Sequence, residues 1–288
     1  MNFKIKTSLA SLALIVSIPA SAQVLYKVEG NGLKNPSYIF GTHHLAPISV
    51  IEEFGATGPF NESQQVVGEI DMTQDQMSIG MAMQPHMMAP ADSTPEDYVV
   101  INEEFKKWSP MPGMDLSMLE AMKPMAVTTI VATGMAASCM PDFNPAEQLD
   151  TYFQIQGKTA GKSIVPLETV EHQATVLFDT TPISFQADAL VEMLKDSGKA
   201  IQSTKDLTEA YMAQDLGKML QLSEKNDEHP EFMIALLDRR NADWLTKLPA
   251  IMNEATSFIA VGALHLAGDK GIIEGLRKLG YTVTAVNK

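Results

Sequence analysis

The sequence predicts an α/β protein with a central, mostly parallel sheet, flanking helices and a helical, methionine-rich insertion over residues 72–140. Three observations predict it. Six short runs rich in β-branched and aromatic residues recur along the 288 residues, and several are continuously apolar, as strands covered on both faces require. Stretches with helical spacing separate them. Four of the six runs also deliver a histidine or a carboxylate at or near their C-terminal end, the edge where open α/β sheets collect ligands.

Before the first strand, Lys4 and Lys6 precede an apolar run over 8–19, and Ala20-Ser21-Ala22 follows with small residues at the positions a signal peptidase reads. This pattern predicts a secretory signal over 1–22, cleaved between Ala22 and Gln23, and a periplasmic or secreted product. The run is too short to span a bilayer and no second long one follows, so no stable membrane insertion is expected. Removing the signal leaves 288 − 22 = 266 residues, read as one domain over 23–288. The formal charge of −14 becomes −16, because Lys4 and Lys6 leave. Such a surface repels phosphate backbones, which excludes nucleic acid as a partner. Cys139 is the sole cysteine, so no internal disulfide can form; it is either buried or able to pair with another chain, and burial is expected because no nearby cation or histidine marks a reactive thiolate.

The predicted strands occupy 24–28, 37–40, 65–70, 163–167, 257–261 and 281–286. Asn144-Pro145-Ala146-Glu147 reads as a helix start with a cap, a proline in first position and an acid behind it. Leu149, Tyr152 and Phe153 continue that helix, and Gly157 and Gly161 end it before the strand at 163. At the C-terminus a strand, a Gly262-Ala263-Leu264-His265 loop, a helix over about 269–279, a Gly280 stop and a last strand follow in order. Pro230 opens another helix, on which Met233, Leu237, Arg240, Trp244 and Leu248 form one stripe. Arg240 thus lies within an apolar face and should meet a carboxylate, for which Glu69, Asp71 or Glu168 would serve. A structural salt bridge, or a guanidinium reaching solvent along its stem, would satisfy the same pattern.

Thirteen of the 19 methionines fall between Met72 and Met140, among prolines at 85, 90, 95, 110, 112 and 124, which is why that stretch reads as an insertion. An adaptable apolar surface is the plain reading. Gln84-Pro85-His86-Met87-Met88 would also offer soft ligands to copper(I).

The strand ends carry the chemistry. The strand at 37 runs into Gly41-Thr42-His43-His44, that at 65 into Glu69 and Asp71, that at 163 into Glu168, and that at 257 into Gly262-Ala263-Leu264-His265. If these strands are parallel neighbours, two imidazoles and two or three carboxylates converge, a plausible ligand set for a divalent metal. A glycine three residues before each histidine lets the chain turn sharply as it leaves its strand. Each residue alone has a structural reading as well: a loop histidine, the solvated end of an edge strand, or, for Glu168, an acid at a helix start. No His-Glu-x-x-His pair is present, so ordinary zinc-protease logic does not transfer.

Several segments in this order resemble the TraB/GumN family. Gly41-Thr42-His43-His44 looks like its first motif, and Val67-Gly68-Glu69-Ile70-Asp71 like the acidic strand that follows. Leu167-Glu168-Thr169-Val170-Glu171-His172-Gln173 resembles its central segment, and Asp238-Arg239-Arg240-Asn241-Ala242-Asp243-Trp244 its R-N-x-x-W helix. The run from Val261 to Gly268, Gly271 and Leu279-Gly280-Tyr281-Thr282-Val283 resemble its C-terminal signature, with Leu264 where many relatives have glycine.

The resemblance implies an erythromycin esterase/ChaN-like fold and kinship with Tiki metalloproteases. Carried across, it makes His44 and His265 metal ligands, Glu69 a ligand or general base, and Glu168 and Arg240 candidates for supporting and transition-state roles. The expected function is metal-dependent hydrolysis of peptide or other amide or ester bonds in the cell envelope. Manganese, cobalt or zinc would activate the water, and a peptide or protein would be the substrate. Two alternatives stay open: an envelope protein that binds metal or haem without catalysis, and an envelope assembly or regulatory factor.

Overall fold

The computed structural model describes residues 23–89, 98–109, 111–140, 142–225 and 230–286. The expected signal segment, 1–22, lies outside them. Among the described residues six strands form one sheet: β1 (Leu25–Gly30), β2 (Ser37–Thr42), β3 (Gln65–Gly68), β4 (Ser163–Pro166), β5 (Ser257–Gly262) and β6 (Tyr281–Ala285). Their spatial order is β4-β3-β5-β2-β1-β6.

The four strands with chemistry at their ends are the parallel ones. β2 pairs with β5, β5 with β3, and β3 with β4, all parallel. The other two pairings, β1 with β2 and β1 with β6, are antiparallel. The sheet is therefore mixed, parallel on one side and antiparallel on the other. A short connection makes the difference: Gly30, Asn31 and Gly32 all take positive φ, and Leu33 N–H closes the turn on Gly30 C=O at 3.0 Å. A link this short can only fold β2 back against β1, whereas parallel neighbours need longer crossovers.

Register brings the strand ends level. Thr42 lies opposite Gly262, Gly68 opposite Pro166, and Val67 opposite Ile259. Helix Leu149–Thr159 packs on β3, β4 and β5 and drives Phe153 between Phe40 of β2 and Phe258 of β5. The ring centroids lie 5.3 and 4.7 Å apart, and all three rings are fully buried. Helix Arg240–Glu254 adds Trp244 and Leu248 to the same core. A separate cluster, with Ile101, Phe105, Val127, Val131 and Leu190 at its centre, joins helices Tyr98–Trp108, Pro124–Cys139 and Ile183–Lys195. The methionine-rich stretch thus packs against helices that follow it in sequence.

Several local expectations need correcting. Asn144 does not cap a helix: its side chain accepts Ala146 N–H at 3.0 Å within a turn, and the helix begins at Leu149. Gly157 does not end that helix; it lies inside it, where a Cβ would come within 2.5 Å of Val66 Cγ2, so its role is close approach to the sheet. The stop is Gly161, at φ +74°. The last helix starts at Ile272, because the 3₁₀ turn Ala263–Leu266 and Gly268, at φ +75°, use up the residues before it. Cys139, at the end of its helix, is half-buried rather than buried.

Candidate active site

Glu69 and Glu168 stand side by side because the β3–β4 pairing continues past the strand ends. Leu167 N–H donates to Gly68 C=O and Glu168 N–H to Glu69 C=O, both at 2.9 Å. Thr169 then caps helix Val170–Asp179 by accepting His172 N–H, which holds Glu168 just before the helix start.

Between these acids lies Arg240, 3% exposed. Its Nε donates to both Glu168 oxygens at 3.1 Å, and its Nη2 to Glu69 Oε2 and Glu168 Oε1 at 2.5 Å each. Its Nη1 reaches Leu236 C=O and His265 Nε2, each at 3.0 Å. All five guanidinium N–H groups are thereby engaged. Its Cζ also lies 4.6 Å from the Trp244 ring, and that ring lies 4.5 Å from the His265 ring.

His265 follows β5 in the 3₁₀ turn and is buried. Its Nδ1 meets Asn241 Oδ1 at 2.7 Å, while Asn241 Nδ2 donates to the carbonyls of His265 and Lys270. With Asn241 so oriented, Nδ1 carries the proton and Nε2 offers its lone pair to Arg240. Burial lowers the imidazole pKa to about 4, and the Arg240 charge adds to that effect against the pull of Glu69. Burial alone would raise Glu69. The His265 and Arg240 charges and the Gly262 N–H, 2.9 Å from Oε1, overcome it and hold the carboxyl at about 2. Gln173 Nε2 ties the two acids together at 2.9 and 3.3 Å.

His44 is held differently. Its Nδ1 lies 3.3 Å from Asp150 Oδ2, and Thr42 Oγ1 donates to Asp150 Oδ1 at 2.6 Å. Asp150 sits in the first turn of helix Leu149–Thr159, and its buried Oδ2 accepts no aligned hydrogen bond among the described residues. The Asp150 carboxylate raises His44 to about 9. The imidazole side chain is 71% exposed, so water screens much of that pull. Its neighbour His43 turns inward, 2.9 Å from Thr208 Oγ1 and against the Tyr211 ring, and burial lowers it to about 4.

The structure therefore brings Glu69, Glu168, Arg240 and His265 into one network and leaves His44 in a second pair with Asp150. Asp71 stays local, capping Thr73 through its backbone N–H and hydroxyl. The motif glycines do not turn the chain: Gly262 has φ −50° and ψ 134°. At Gly41 a Cβ would lie 3.0 Å from Ala263 Cα, so that glycine lets β2 approach the histidine turn of β5.

The donor set as folded does not fit the expected metal. The His265 lone pair is taken by Arg240, whose charge opposes a second cation there, and Glu69 is bonded on both oxygens. Among the described residues no three His, Cys, Asp or Glu side chains are grouped to hold an ion. The soft copper set is likewise split, since His86 Nδ1 bonds Asp179 at 2.6 Å and Met87 packs against a cluster around Phe178.

Asp150, Gln173 and Asn241 escaped the sequence reading. Gln173 and Asn241 lie inside the segments that carried the resemblance. Asp150 had no signal beyond being an acid in a helix's first turn, where it complements the dipole anyway.

Fold and site together define an α/β protein with an arginine-locked dicarboxylate and a histidine–aspartate pair along one parallel sheet edge. The TraB/PrgY/gumN family profile matches residues 24–285, nearly the whole chain, and the protein belongs to that family. Neither the curated proteins nor the solved structures contain a match.

Proposed function

We propose that the chain is a cell-envelope hydrolase of peptide, or other amide or ester, bonds, with His44 as the proton acceptor for the attacking water. The observation that carries this reading is the His44–Asp150 pair: an exposed imidazole whose Nδ1 lies 3.3 Å from the buried Oδ2 of Asp150, with Nε2 as the nitrogen for chemistry. In that arrangement Nε2 takes a proton as water oxygen attacks the carbonyl carbon, then returns it to the leaving nitrogen or oxygen as the scissile bond breaks. Arg240 has no N–H to spare for the developing oxyanion. Its part, with Gln173, is to hold Glu69 and Glu168 fixed beside the reacting edge. The divalent metal that the family resemblance implies would have to take His265 Nε2 from Arg240.

The test is cleavage of a peptide library by the purified chain, metal-stripped and then with manganese, cobalt or zinc. His44→Ala is expected to lower kcat/KM by about 10²–10⁴-fold, the usual range for a lost general base. Cleavage that His44→Ala leaves unchanged removes the role of His44. Binding of metal without turnover on any library favours the non-catalytic alternative.

A further inference from the structure

The Glu168–Arg240 pair also forms the floor of a groove of about 640 Å³. Helix Val170–Asp179 supplies one wall, with His172, Thr175 and Thr180, and the chain from Ala235 to Lys247 supplies the other, with Arg239, Asp243 and Lys247. From 235 to 247 the second wall runs thirteen residues, whose twelve steps span roughly 18 Å at helical rise. Spread over that length, the volume leaves a channel about 6 Å across, which suits an extended chain of about five residues better than a compact ligand.

The walls carry a charge opposite to that of the rest of the molecule. On a chain of net charge −14, Arg239 and Lys247 face Asp243 alone on their wall, with His172 across from them. Arg239, 64% exposed, pairs with the surface carboxylate of Glu231 at 3.0 Å, and Lys247 donates both to Asp243 and to Leu167 C=O, each at 2.6 Å. Exposed carboxylate pairs of this kind contribute little, so an incoming carboxylate exchanges for them readily. A widened helical turn with π geometry over Ile234–Arg239 presents two consecutive arginines to the same groove. Such widened turns concentrate at functional sites.

We propose that this groove binds an extended peptide segment bearing a carboxylate, seated on Arg239 and Lys247, with the chain running over the Glu168–Arg240 floor. It deepens the reading of the site as peptide-directed and rests on it for the identity of the ligand as a peptide.

The full chain carrying His44→Ala, which slows turnover below the time of the measurement, is titrated with fluorescent pentapeptides in three forms: an internal aspartate with an amidated end, a free C-terminal carboxylate with no acidic side chain, and a neutral amide. Either acidic form is expected to bind at least tenfold tighter than the neutral one, and the stronger of the two names the source of the carboxylate. Arg239→Glu, at an exposed position, and separately Lys247→Met are expected to abolish that preference without changing the thermal midpoint of Arg239→Glu. Equal binding of all three forms, no binding at millimolar peptide, or a preference that survives Arg239→Glu overturns the proposal. The two readings fail separately. Acidic peptides that bind but are not cut by the unmutated chain sink the hydrolase and spare the groove. Neutral and acidic peptides cut equally well, with Arg239→Glu indifferent, do the reverse.

Discussion

Two G-x-x-H motifs with the same spacing leave neighbouring parallel strands, yet their histidines end in opposite states. His265 is buried, neutral and bonded on both nitrogens, to Asn241 and to Arg240. His44 is exposed, with its Nδ1 3.3 Å from Asp150 Oδ2. What differs is the element that covers each strand end. Over β5 lies the Arg240–Glu254 helix, whose Arg240, Asn241 and Trp244 close around the imidazole. Beside β2 the first turn of helix Leu149–Thr159 offers only Asp150. The same G-x-x-H spacing therefore builds a buried lock at one strand end and an exposed imidazole beside a carboxylate at the next, and each half breaks in its own way.

The largest effect belongs to the lock. Arg240→Ala leaves Glu168, 2% exposed in its side chain, and Glu69 without their cation, and removes the Nε2 partner of His265. Breaking a buried pair from one side typically costs 3–5 kcal/mol, a large share of a domain's whole stability. Urea unfolding should show a loss of about that size, or no soluble protein. Arg240→Lys should recover only a small part, because a point charge cannot reproduce five directed N–H bonds. A loss under about 1 kcal/mol would mean that the network in the structure does not exist in solution.

Next comes acid sensitivity. An unfolded imidazole takes its proton near 6.5, whereas folded His265 resists until about 4. Between those values the unfolded chain carries the extra proton, so stability falls as the pH drops through that window, by up to about 3 kcal/mol. His43, also lowered to about 4, adds a second loss over the same range. Glu69 follows lower down: its contribution is complete above 4.5 and disappears toward about 2. Stability measured by urea midpoint should therefore begin to decline near pH 6.5, well before ordinary carboxylates titrate. His265→Gln should remove about half of that upper slope; a profile flat from pH 7 to 5 would contradict the burial of both histidines.

This contrast between two like motifs also shows what a sequence makes legible. All six strands could be read from apolar runs, because burial on both faces leaves a composition that survives without any tertiary information. Convergence of Glu69, Glu168 and His265 followed from their place at strand ends, and the partner of Arg240 from its place in an apolar stripe. Asp150 was not legible. It reaches His44 only because the Phe40–Phe153–Phe258 stack fixes how helix Leu149–Thr159 lies across the sheet, and no local pattern encodes that orientation. For the same reason the metal set looked complete in sequence: spacing places His44 and His265 on one edge but is silent about which donor each nitrogen meets. The shortened helix starts at Leu149 and Ile272 had a different cause, since Asn144 and Gly268 spend their turn-forming chemistry on turns of their own.

The smallest expected effect is also the most selective, because it touches the reactive half and leaves the lock alone. If His44 accepts the proton, activity rises with pH as its imidazole loses its own proton. Asp150 places that limb above the ordinary value of 6.5, toward about 9, with screening by water drawing it back. Asp150→Asn keeps the shape and removes the charge, so the limb should move down by about one to two pH units. His265 and Glu69 keep every hydrogen bond they have in the unmutated chain, since none of those bonds runs through Asp150. The urea midpoint at neutral pH should accordingly shift far less than in Arg240→Ala. A pH–rate profile of kcat/KM for the two proteins decides the matter. A limb that stays in place or moves upward assigns the titration to some other group, and activity that falls rather than rises with pH through a limb that moves down makes His44 the proton donor rather than the acceptor.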